Sequence, residues 1–500
     1  MHKPARRLAV LFSLLFLAFF SSTLCAAEPL RIGSKRFTES YVLAQLLAQT
    51  AAPHAATEVK AGLGNTAIVY AALQAGSIDL YPEYAGTIDQ EILKNDKPSP
   101  SLAAMREQLL PLGLGVDVPL GFNDGYALAM RADVAKKLGI AKLSDLARHP
   151  SLRLGLSNEF IGRADGWQGL AKRYALAQRP TGLDHGLAYD AVTKAQVDVI
   201  DIYTTDAKIT HLGLTVLTDD EAYFPRYDAV LLYRLDVPKR FPAAWRSLQG
   251  LAGSIDEVAM IAMNARAELE GVAFDVIARD HLAGAVRNDA KRGFWAKLTG
   301  PDLARLTWQH LGLVAASVAL AAALGVPLAT AVAPHARLRG LVLGATGLLQ
   351  TVPSLAMLAA LISLVNQIGS LPALLALTLY ALLPIMRNTC TGLAEVPTGL
   401  KLAAAALGLT AAQSLRHVEL PLALPTIVAG VRTATSIAVG TATIAAFIGA
   451  GGYGERIVTG LALNDKELLL AGALPAAALA LALEALFGLL ALGLRRSKPA

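Results

Sequence analysis

The sequence predicts a two-part fold, with an α/β domain in residues 28–300 followed by an all-α membrane domain. Two observations along the chain predict it. Short β-rich runs alternate with helical patterns between residues 28 and 235. Nearly continuous apolar segments fill residues 307–494. The composition agrees with this division. The chain has 54% hydrophobic and 17% charged residues, so it is too apolar for a soluble protein and too charged for a purely membrane one.

The N-terminus has the layout of a secretory signal. Lys3, Arg6 and Arg7 precede the apolar run 8–20, and the small residues 25–27 follow before Glu28. We expect a signal peptide over 1–27 with cleavage near its end, and an uncleaved anchor helix is the alternative. The α/β domain therefore lies outside the cytoplasm in either case.

The chain contains two cysteines, Cys25 and Cys390. The residues before Cys25 match a lipoprotein box poorly, so we do not expect lipidation. After cleavage only Cys390 remains, which excludes an intrachain disulfide. The net charge of +6 is too small to indicate nucleic-acid binding, and no basic stripe with interleaved aromatics is present.

The α/β domain reads as short strands joined by helices and turns. A helix is predicted to open at Thr38, and a second to run over 67–75. The predicted strands are 30–33, 58–61, 78–81, 126–131, 152–156, 197–203 and 229–233.

One turn has a second interpretation. Gly62-x-Gly64-x-x-Ala67 follows a strand and precedes a helix, as a loose dinucleotide-binding fingerprint does. A secreted domain rarely meets NAD, so a membrane-anchored NAD enzyme is the weaker hypothesis.

Eight motifs in order carry a resemblance to a known family. They are GSKRFTES (33–40), GLGNTA (62–67), DLYPEYAGT (79–87), PLGFNDGYAL (119–128), EFIGRADG (159–166), DHGLAYDAV (184–192), DVIDIYTTDA (198–207) and YFPRYDAV (223–230). The domain resembles the extracytoplasmic binding proteins for glycine betaine, choline, carnitine and proline betaine. The resemblance implies a two-lobed periplasmic binding protein of type II over 28–290, with crossings near 125–131 and 226–233. By the same resemblance, 235–290 returns to the first lobe.

Tyrosines at strand ends suit a quaternary ammonium ligand. Such a cation has no N–H to donate, whereas an aromatic face attracts it by about 0.5–2 kcal/mol per ring. Tyr84, Tyr126, Tyr203 and Tyr227 match the family's aromatic cage, although a lone tyrosine is more often simply packed. Tyr81 is a weaker candidate, because strand alternation would turn it into the core.

The other end of a betaine is a carboxylate. Lys35, Arg163 and Thr87 stand at positions that the family uses for that group, and a solvated surface charge is the alternative for Lys35 and Arg163. Thr87 also lies at a predicted helix start, where free N–H groups favour an anion. Asp124 matches a position at the cationic end. Ser40 replaces a glutamine found in several relatives, so the preferred solute stays open.

The membrane domain supplies five apolar segments long enough to span, the third of them short. They run over 308–331, 341–364, 371–386, 426–450 and 468–492.

The flanking cations predict the orientation of these spans. They cluster after the first, third and fifth segments, at Arg337, Arg339, Arg387, Lys401, Arg416, Arg495, Arg496 and Lys498. The 365–370 loop has no basic residue, and acids offset the cations of the 451–467 loop. The positive-inside rule therefore places the C-terminus in the cytoplasm of a plasma (inner) membrane, in agreement with a secreted first domain.

The segment 401–421 lies on the predicted cytoplasmic side and resembles the coupling loop of ABC-transporter permeases. The matching residues are Ala403, Ala404, Gly408, Val418, Leu420 and Pro421. The resemblance implies an all-α permease of the MetI-like type and two short helices joined at Gly408, docking on an ATPase. We expect Pro421 to end the second helix. An ordinary amphipathic loop is the alternative, and Leu402 stands where the motif usually opens with an acid.

The leading hypothesis is a fused binding protein and permease of an ATP-driven importer for quaternary ammonium osmolytes, with a linker at 291–306 and the permease at 307–500. No phosphate-binding GxxxxGK[ST] motif is present, so a separate ATPase subunit is expected, together with two copies of this chain. We expect no cofactor, metal or catalytic residue. The alternative is a membrane-anchored receptor that senses the solute without moving it.

Overall fold

The computed structural model describes residues 28–95, 99, 101–284 and 293–496. The predicted signal peptide, the first two residues of the predicted linker and Lys498 lie outside the described residues. The α/β region and the helical region are described in turn.

Two mixed five-stranded sheets form the α/β region, one in each lobe. In the first, β2-β1-β3-β10-β4, the first three strands run parallel and β10 runs antiparallel to both its neighbours. In the second, β7-β6-β8-β5-β9, the first three strands run parallel and β5 runs antiparallel to both its neighbours. The strands are β1 Leu30–Gly33, β2 Thr57–Lys60, β3 Leu80–Tyr84, β4 Leu114–Asp117, β5 Tyr126–Arg131, β6 Leu154–Ser157, β7 Thr181–Leu183, β8 Val199–Tyr203, β9 Leu214–Val216 and β10 Ala229–Arg234.

The chain crosses between the lobes twice, over 118–125 and 217–228. The two crossings pair with each other, since Asp124 N–H donates to the Tyr227 carbonyl at 3.1 Å. The crossings expected near 125–131 and 226–233 therefore begin too late. Those residues include β5 and β10, each of which lies within one sheet.

Helices cover both sheets, and those after β10 return to the first lobe as expected. Ser247 Oγ donates to the Thr50 carbonyl at 2.9 Å, and Gln49 Nε2 donates to the Asp275 carbonyl at 2.7 Å. The α-helices before the membrane region are Thr38–Ala51, Thr66–Gln74, Ala85–Thr87, Leu102–Leu109, Ala132–Leu138, Asn158–Gly162, Trp167–Arg173, His185–Thr193, Lys208–His211, Val237–Arg240, Pro242–Gln249, Glu257–Glu268, Phe274–Leu282 and Phe294–Leu298.

In the described part of the chain, four helices are long and apolar enough to cross a membrane, or five spans if one bent pair counts as a span. The helices of this region are Leu303–Val332, Ala336–Thr351, Ser354–Val365, Ser370–Ala394, Thr398–Ala406, Ala411–Ser414, Leu420–Ala442, Gly454–Leu463 and Lys466–Arg496. The third span, which looked short in sequence, is lengthened to 25 residues by its polar C-terminal turns.

The second predicted span is not one continuous helix. Its halves Ala336–Thr351 and Ser354–Val365 meet at an angle of 102°. The break falls at Val352 and Pro353, because proline lacks an N–H and drives the residue before it into an extended conformation, here with ψ 128°.

Pro421 does not end a helix, contrary to expectation. Residues 411–442 form one continuous helical stretch that includes a π-helical turn at Leu415–Glu419. In this wider turn Leu420 N–H donates to the Leu415 carbonyl. Pro421 then lies in the first turn of Leu420–Ala442, where a missing N–H costs little.

Glycines allow close packing at two places in the helical core. A Cβ on Gly430 would lie 2.8 Å from the Pro384 carbonyl, and one on Gly392 would lie 3.0 Å from the Ala423 carbonyl. Gly440 faces open space within the chain. Gly392 and Gly430 therefore allow close helix packing, whereas Gly440 does not pack against another part of the described chain.

The α/β region contacts one end of the helical bundle through both lobes. From the first lobe, Arg36 lies over the Phe447 ring at 5.2 Å and Leu63 contacts Gly449. From the second, Asp190 accepts from Asn464 Nδ2 at 2.8 Å. Segment 401–421 lies at the opposite end, where Lys401 Nζ donates to the Leu393 carbonyl at the far end of Ser370–Ala394.

A candidate ligand-binding site between the lobes

Strand ends bring the four predicted tyrosines to the cleft. Tyr84 ends β3 and Tyr203 ends β8, whereas Tyr126 begins β5 directly opposite Tyr203. Tyr227 lies in the second crossing segment, one residue before the Asp228 that precedes β10. All four side chains are buried at the junction of the two lobes.

Phe37 links the four tyrosines into one cluster. Its ring centroid is 6.2 Å from Tyr84 and 5.0 Å from Tyr203. Tyr126 lies 5.1 Å from Tyr203 and 5.7 Å from Tyr227, nearly edge-on to the latter at 78°. These five residues form what we call the aromatic cage. Because neighbouring rings touch, a ligand enters the cage only when the lobes move apart.

Tyr81 does not belong to the cage. It is fully buried in a separate cluster with Leu63 and Val69, on the other face of the first sheet. Strand alternation turns it away from Tyr84, as anticipated.

Two carboxyl groups line the cage at its Tyr84 side. Tyr84 Oη donates to Glu39 Oε1 at 2.5 Å, and Thr205 Oγ1 lies 2.6 Å from Glu39 Oε2 and 2.9 Å from Asp124 Oδ1. Burial raises the pKa of Glu39 to about 7. Burial, and next the charge of Glu39, raise the pKa of Asp124 well above its usual range.

Arg163 lies over Tyr126 in the cage. Its Nε and Nη2 each donate to a different oxygen of Asp165 at 2.7 Å, and its guanidinium is 5.0 Å from the Tyr126 ring centroid. Thr87 Oγ1 is 3.4 Å from Nη2, and Tyr227 Oη donates to Asp165 at 2.6 Å. In the described part of the chain Nη1 has no hydrogen-bond acceptor, so its two N–H groups could bind an incoming anion.

Lys35 is engaged elsewhere. Its ammonium forms a buried ion pair with Glu83 and lies 5.2 Å from the Tyr84 ring centroid. A ligand carboxylate would have to compete with Glu83 for this charge. The structure therefore separates Lys35 from Arg163 and Thr87, which the sequence had grouped with it.

Direct contacts hold the two lobes together around the cage. Arg36 of the first lobe forms an ion pair with Asp184 of the second at 2.9 Å. Thr66 Oγ1 donates to Glu159 at 3.2 Å, and Ala164 N–H donates to Glu91 at 2.9 Å. The lobes are thus closed on each other.

A second polar cluster backs Tyr203. The His185 ring stacks on Tyr203 with centroids 4.4 Å apart, and its Nε2 lies 3.1 Å from Asp206. Although burial lowers the pKa of His185, the Asp206 carboxylate raises it to about 9. A cavity of about 90 Å³ separates this cluster from Ala462 of the helical region.

Segment 401–421 turns at Gly408, whose φ is +78°. Leu402 and Leu407 are 66% and 81% exposed, and Ala403 and Pro421 are also exposed. Ala404 is buried within the chain, at 3% exposure. Val418 and Leu420 are half-buried.

Two charged residues of this segment pair with each other within the chain. Lys401 forms an ion pair with Glu419 at 3.1 Å, whereas Arg416 is exposed. The charge of Lys401, next to Leu402, is therefore engaged by Glu419.

Sequence reasoning missed three residues of this site: Phe37, Glu39 and Asp165. Their signal was available, since all three lie inside the motifs GSKRFTES and EFIGRADG. Among the described residues, no group of three His, Cys, Asp or Glu side chains forms a candidate metal site.

Two family matches cover most of the chain. Residues 28–284 match the family described as the substrate binding domain of ABC-type glycine betaine transport systems. Residues 321–496 match the binding-protein-dependent transport system inner membrane component.

Individual relatives match one part of the chain or about half of it. The chain is 46% identical over 186 residues to the osmoprotectant import permease protein OsmW of Salmonella typhimurium, covering 36% of this chain and 86% of that protein. It is 33% identical over 266 residues to the ergothioneine transport permease/ergothioneine binding protein EgtU of Helicobacter pylori, covering 51% of this chain and 47% of that protein. A crystal structure of a glycine betaine/carnitine/choline ABC transporter is 26% identical with a TM-score of 0.44, covering 51% of this chain and 98% of that one.

Proposed function

The chain belongs to the family of substrate-binding domains of ABC-type glycine betaine transport systems, joined here to an inner-membrane permease component, and we propose that it imports a quaternary ammonium compound. Residues 28–290 would be the receptor and 307–500 the permease, with 291–306 as the linker. Glycine betaine, choline, carnitine and proline betaine are the candidate solutes. The similarity to EgtU adds ergothioneine, itself a betaine.

The aromatic cage is the observation that carries this proposal. Five rings form a chain of contacts at the junction of the lobes, with carboxyl groups near Tyr84 and a guanidinium over Tyr126. Aromatic faces and carboxylates attract a diffuse cation, and Arg163 suits a carboxylate. This polarity fits a zwitterion that carries a quaternary ammonium and a carboxylate.

The proposed transport cycle begins when the lobes close on the solute. The closed receptor contacts the end of the bundle near Phe447 and Asn464, as its contacts with both lobes suggest. We propose that this end faces outward and that segment 401–421 and the C-terminus face the cytoplasm. The charge asymmetry of the loops supports this orientation.

A separate ATPase would drive transport through segment 401–421. The exposed leucines and alanines around Gly408 offer it an apolar docking surface, beside which Lys401 and Glu419 pair with each other and Arg416 remains exposed. Ala404, being buried, would support this surface rather than contact the ATPase.

We also propose that two copies of the chain form the permease. Four or five spans enclose little space by themselves, and the Gly440 side of Leu420–Ala442 faces open space within the chain. A second copy around a two-fold axis would cover that side and bring two receptors to one path.

A ligand panel on the full-length protein tests the assignment. We expect glycine betaine or another quaternary ammonium to raise the melting temperature of the purified protein, whereas NAD leaves it unchanged. Loss of uptake in a deletion strain then distinguishes an importer from a sensing receptor. If no quaternary ammonium stabilises the protein, the proposal fails.

A further inference from the structure

Two buried carboxyl groups in the cage have no basic partner among the residues that the structure describes. Glu39 and Asp124 are 2% and 4% exposed. The nearby charges are already matched in pairs, namely Lys35 with Glu83, Arg163 with Asp165, His185 with Asp206 and Lys208 with Glu268. Ionising both free carboxyl groups together is therefore costly.

The hydrogen bonds around Thr205 show how the two groups avoid this cost. Thr205 Oγ1 lies 2.6 Å from Glu39 Oε2 and 2.9 Å from Asp124 Oδ1. A hydroxyl has one proton and donates to one acceptor only. Both short contacts are hydrogen bonds only if one carboxyl group is protonated and donates to the hydroxyl oxygen.

The remaining neighbours do not supply that proton. Tyr84 Oη donates to Glu39 Oε1, and Asn264 Nδ2 lies 3.4 Å from Glu39 Oε2 while donating to the Thr205 carbonyl at 3.1 Å. Thr205 N–H is 3.2 Å from Asp124 Oδ1. These groups are neutral, so they orient the carboxyl pair without balancing a second negative charge. The raised pKa values of Glu39 and Asp124 agree with this arrangement.

We propose that Glu39 and Asp124 share one proton in the cage, and that an entering quaternary ammonium displaces this proton to solvent. The inference rests on the proposed function, because it takes the cage as the cation site. It makes Glu39 a specificity-determining residue: the cage offers its second negative charge only to a ligand that brings a permanent positive one.

Proton displacement gives binding a defined pH dependence. The cation lowers the pKa of the pair, so protonation competes with binding below the pKa of about 7. Affinity for a cation then rises about tenfold between about pH 6 and pH 8, since one proton is lost over that interval. Binding near pH 7 releases about half a proton, because Glu39, whose pKa is about 7, is then half-titrated.

Titration calorimetry of the full-length protein in detergent tests the inference. The probe is tetramethylammonium chloride, which has no titratable group. Titrations at about pH 6, 7 and 8 in phosphate and in MES, MOPS and HEPES, respectively, separate proton release from the intrinsic enthalpy, because phosphate and these amine buffers differ in ionisation enthalpy. We expect the wild type to show both the release and the rise in affinity.

Glu39→Gln keeps the hydrogen bonds to Tyr84 and Thr205 but carries no proton to lose. We expect it to match the wild type at the lowest pH, to bind about tenfold more weakly at the highest, and to release no proton. Asp124→Asn is the second variant and is also expected to flatten the profile. Glu268→Gln removes another buried carboxyl group, which is paired with Lys208, and serves as the control that keeps the release.

The outcomes separate this inference from the proposed function. Binding with no proton release in the wild type, or release that persists in Glu39→Gln and Asp124→Asn, overturns the shared proton alone. Failure of tetramethylammonium, choline and glycine betaine to bind at any pH overturns the proposed function and this inference with it.

Discussion

Replacing Arg163 by glutamine tests whether the cage has a carboxylate end. Nε and Nη2 of Arg163 donate to Asp165, whereas Nη1 donates to none of the residues that the structure describes. A hydrogen bond between charged groups contributes about 1.5–3 kcal/mol, and a neutral one about 0.5–1.5 kcal/mol. Arg163→Gln should therefore weaken glycine betaine more than choline, which carries a hydroxyl in place of the carboxylate.

The ratio of the two dissociation constants is the quantity to measure. A difference of about 1–1.5 kcal/mol shifts this ratio by roughly five- to tenfold, because each 1.4 kcal/mol is a factor of ten. The ratio is insensitive to a general loss of structure, which affects both ligands alike. Titration calorimetry of the full-length protein gives both constants.

Asp165 requires a control, since it is buried and loses its partner in this variant. The double variant Arg163→Gln/Asp165→Asn removes the uncompensated charge and should keep the shifted ratio. Equal losses for betaine and choline in both variants would show that Arg163 is structural and does not bind the ligand carboxylate.

Three further predictions follow from the cage and from segment 401–421. Tyr203→Ala should weaken betaine binding by more than about tenfold in calorimetry, because it removes a cation-binding face and opens the packing of Phe37 and Tyr126. The control Tyr203→Phe should retain most of the affinity. An unchanged affinity in Tyr203→Ala would remove this residue from the cage. Gly408→Asp should abolish cellular uptake with membrane insertion and solute binding intact. Gly408→Asn should retain uptake, because asparagine tolerates a φ of +78°. Full uptake in Gly408→Asp would argue against coupling through this loop. The pKa of Glu39 is raised in the folded protein, so its contribution to stability is present below the unfolded value near 4 and is lost as pH rises through about 7. Glu39→Gln should therefore raise the melting temperature of the protein without added solute at about pH 8 and not at about pH 4. Equal shifts at both pH values would contradict the burial argument.

The resemblance to the family, rather than strand periodicity, pointed to the cage tyrosines, since a lone tyrosine at a strand end is more often simply packed. The structure places Tyr84, Tyr126 and Tyr203 at strand ends and turns Tyr81 into the core. Strand alternation, which a sequence displays directly, explains only the inward turn of Tyr81.

Phe37 and Glu39 could not be found by the same logic. A phenylalanine before a helix and a glutamate in its first turn are both typical of an ordinary helix N-terminus. Their burial depends on Thr205 and Tyr203, which come from the other lobe. The ion pair of Lys35 was missed for a related reason, since its partner Glu83 lies 48 residues away.

In the membrane region, hydropathy predicted the number of apolar segments but not their shape. Average hydropathy does not register the N–H that Pro353 lacks, so the bend at this residue could not be predicted from a continuous apolar run. Pro421 was predicted to end a helix, but the helix continues through it after a π-helical turn. Whether a proline breaks a helix therefore depends on which backbone carbonyl groups lose their hydrogen-bond donor.

ATP-dependent uptake in proteoliposomes tests whether the protein imports a quaternary ammonium compound. The full-length protein is reconstituted with its ATPase subunit, and radiolabelled glycine betaine, choline, carnitine, proline betaine and ergothioneine are offered on the receptor side. The account predicts ATP-dependent accumulation of at least one of them, abolished by Gly408→Asp. Tight binding to the same protein without accumulation of any of these solutes would contradict it and would identify the protein as a sensing receptor.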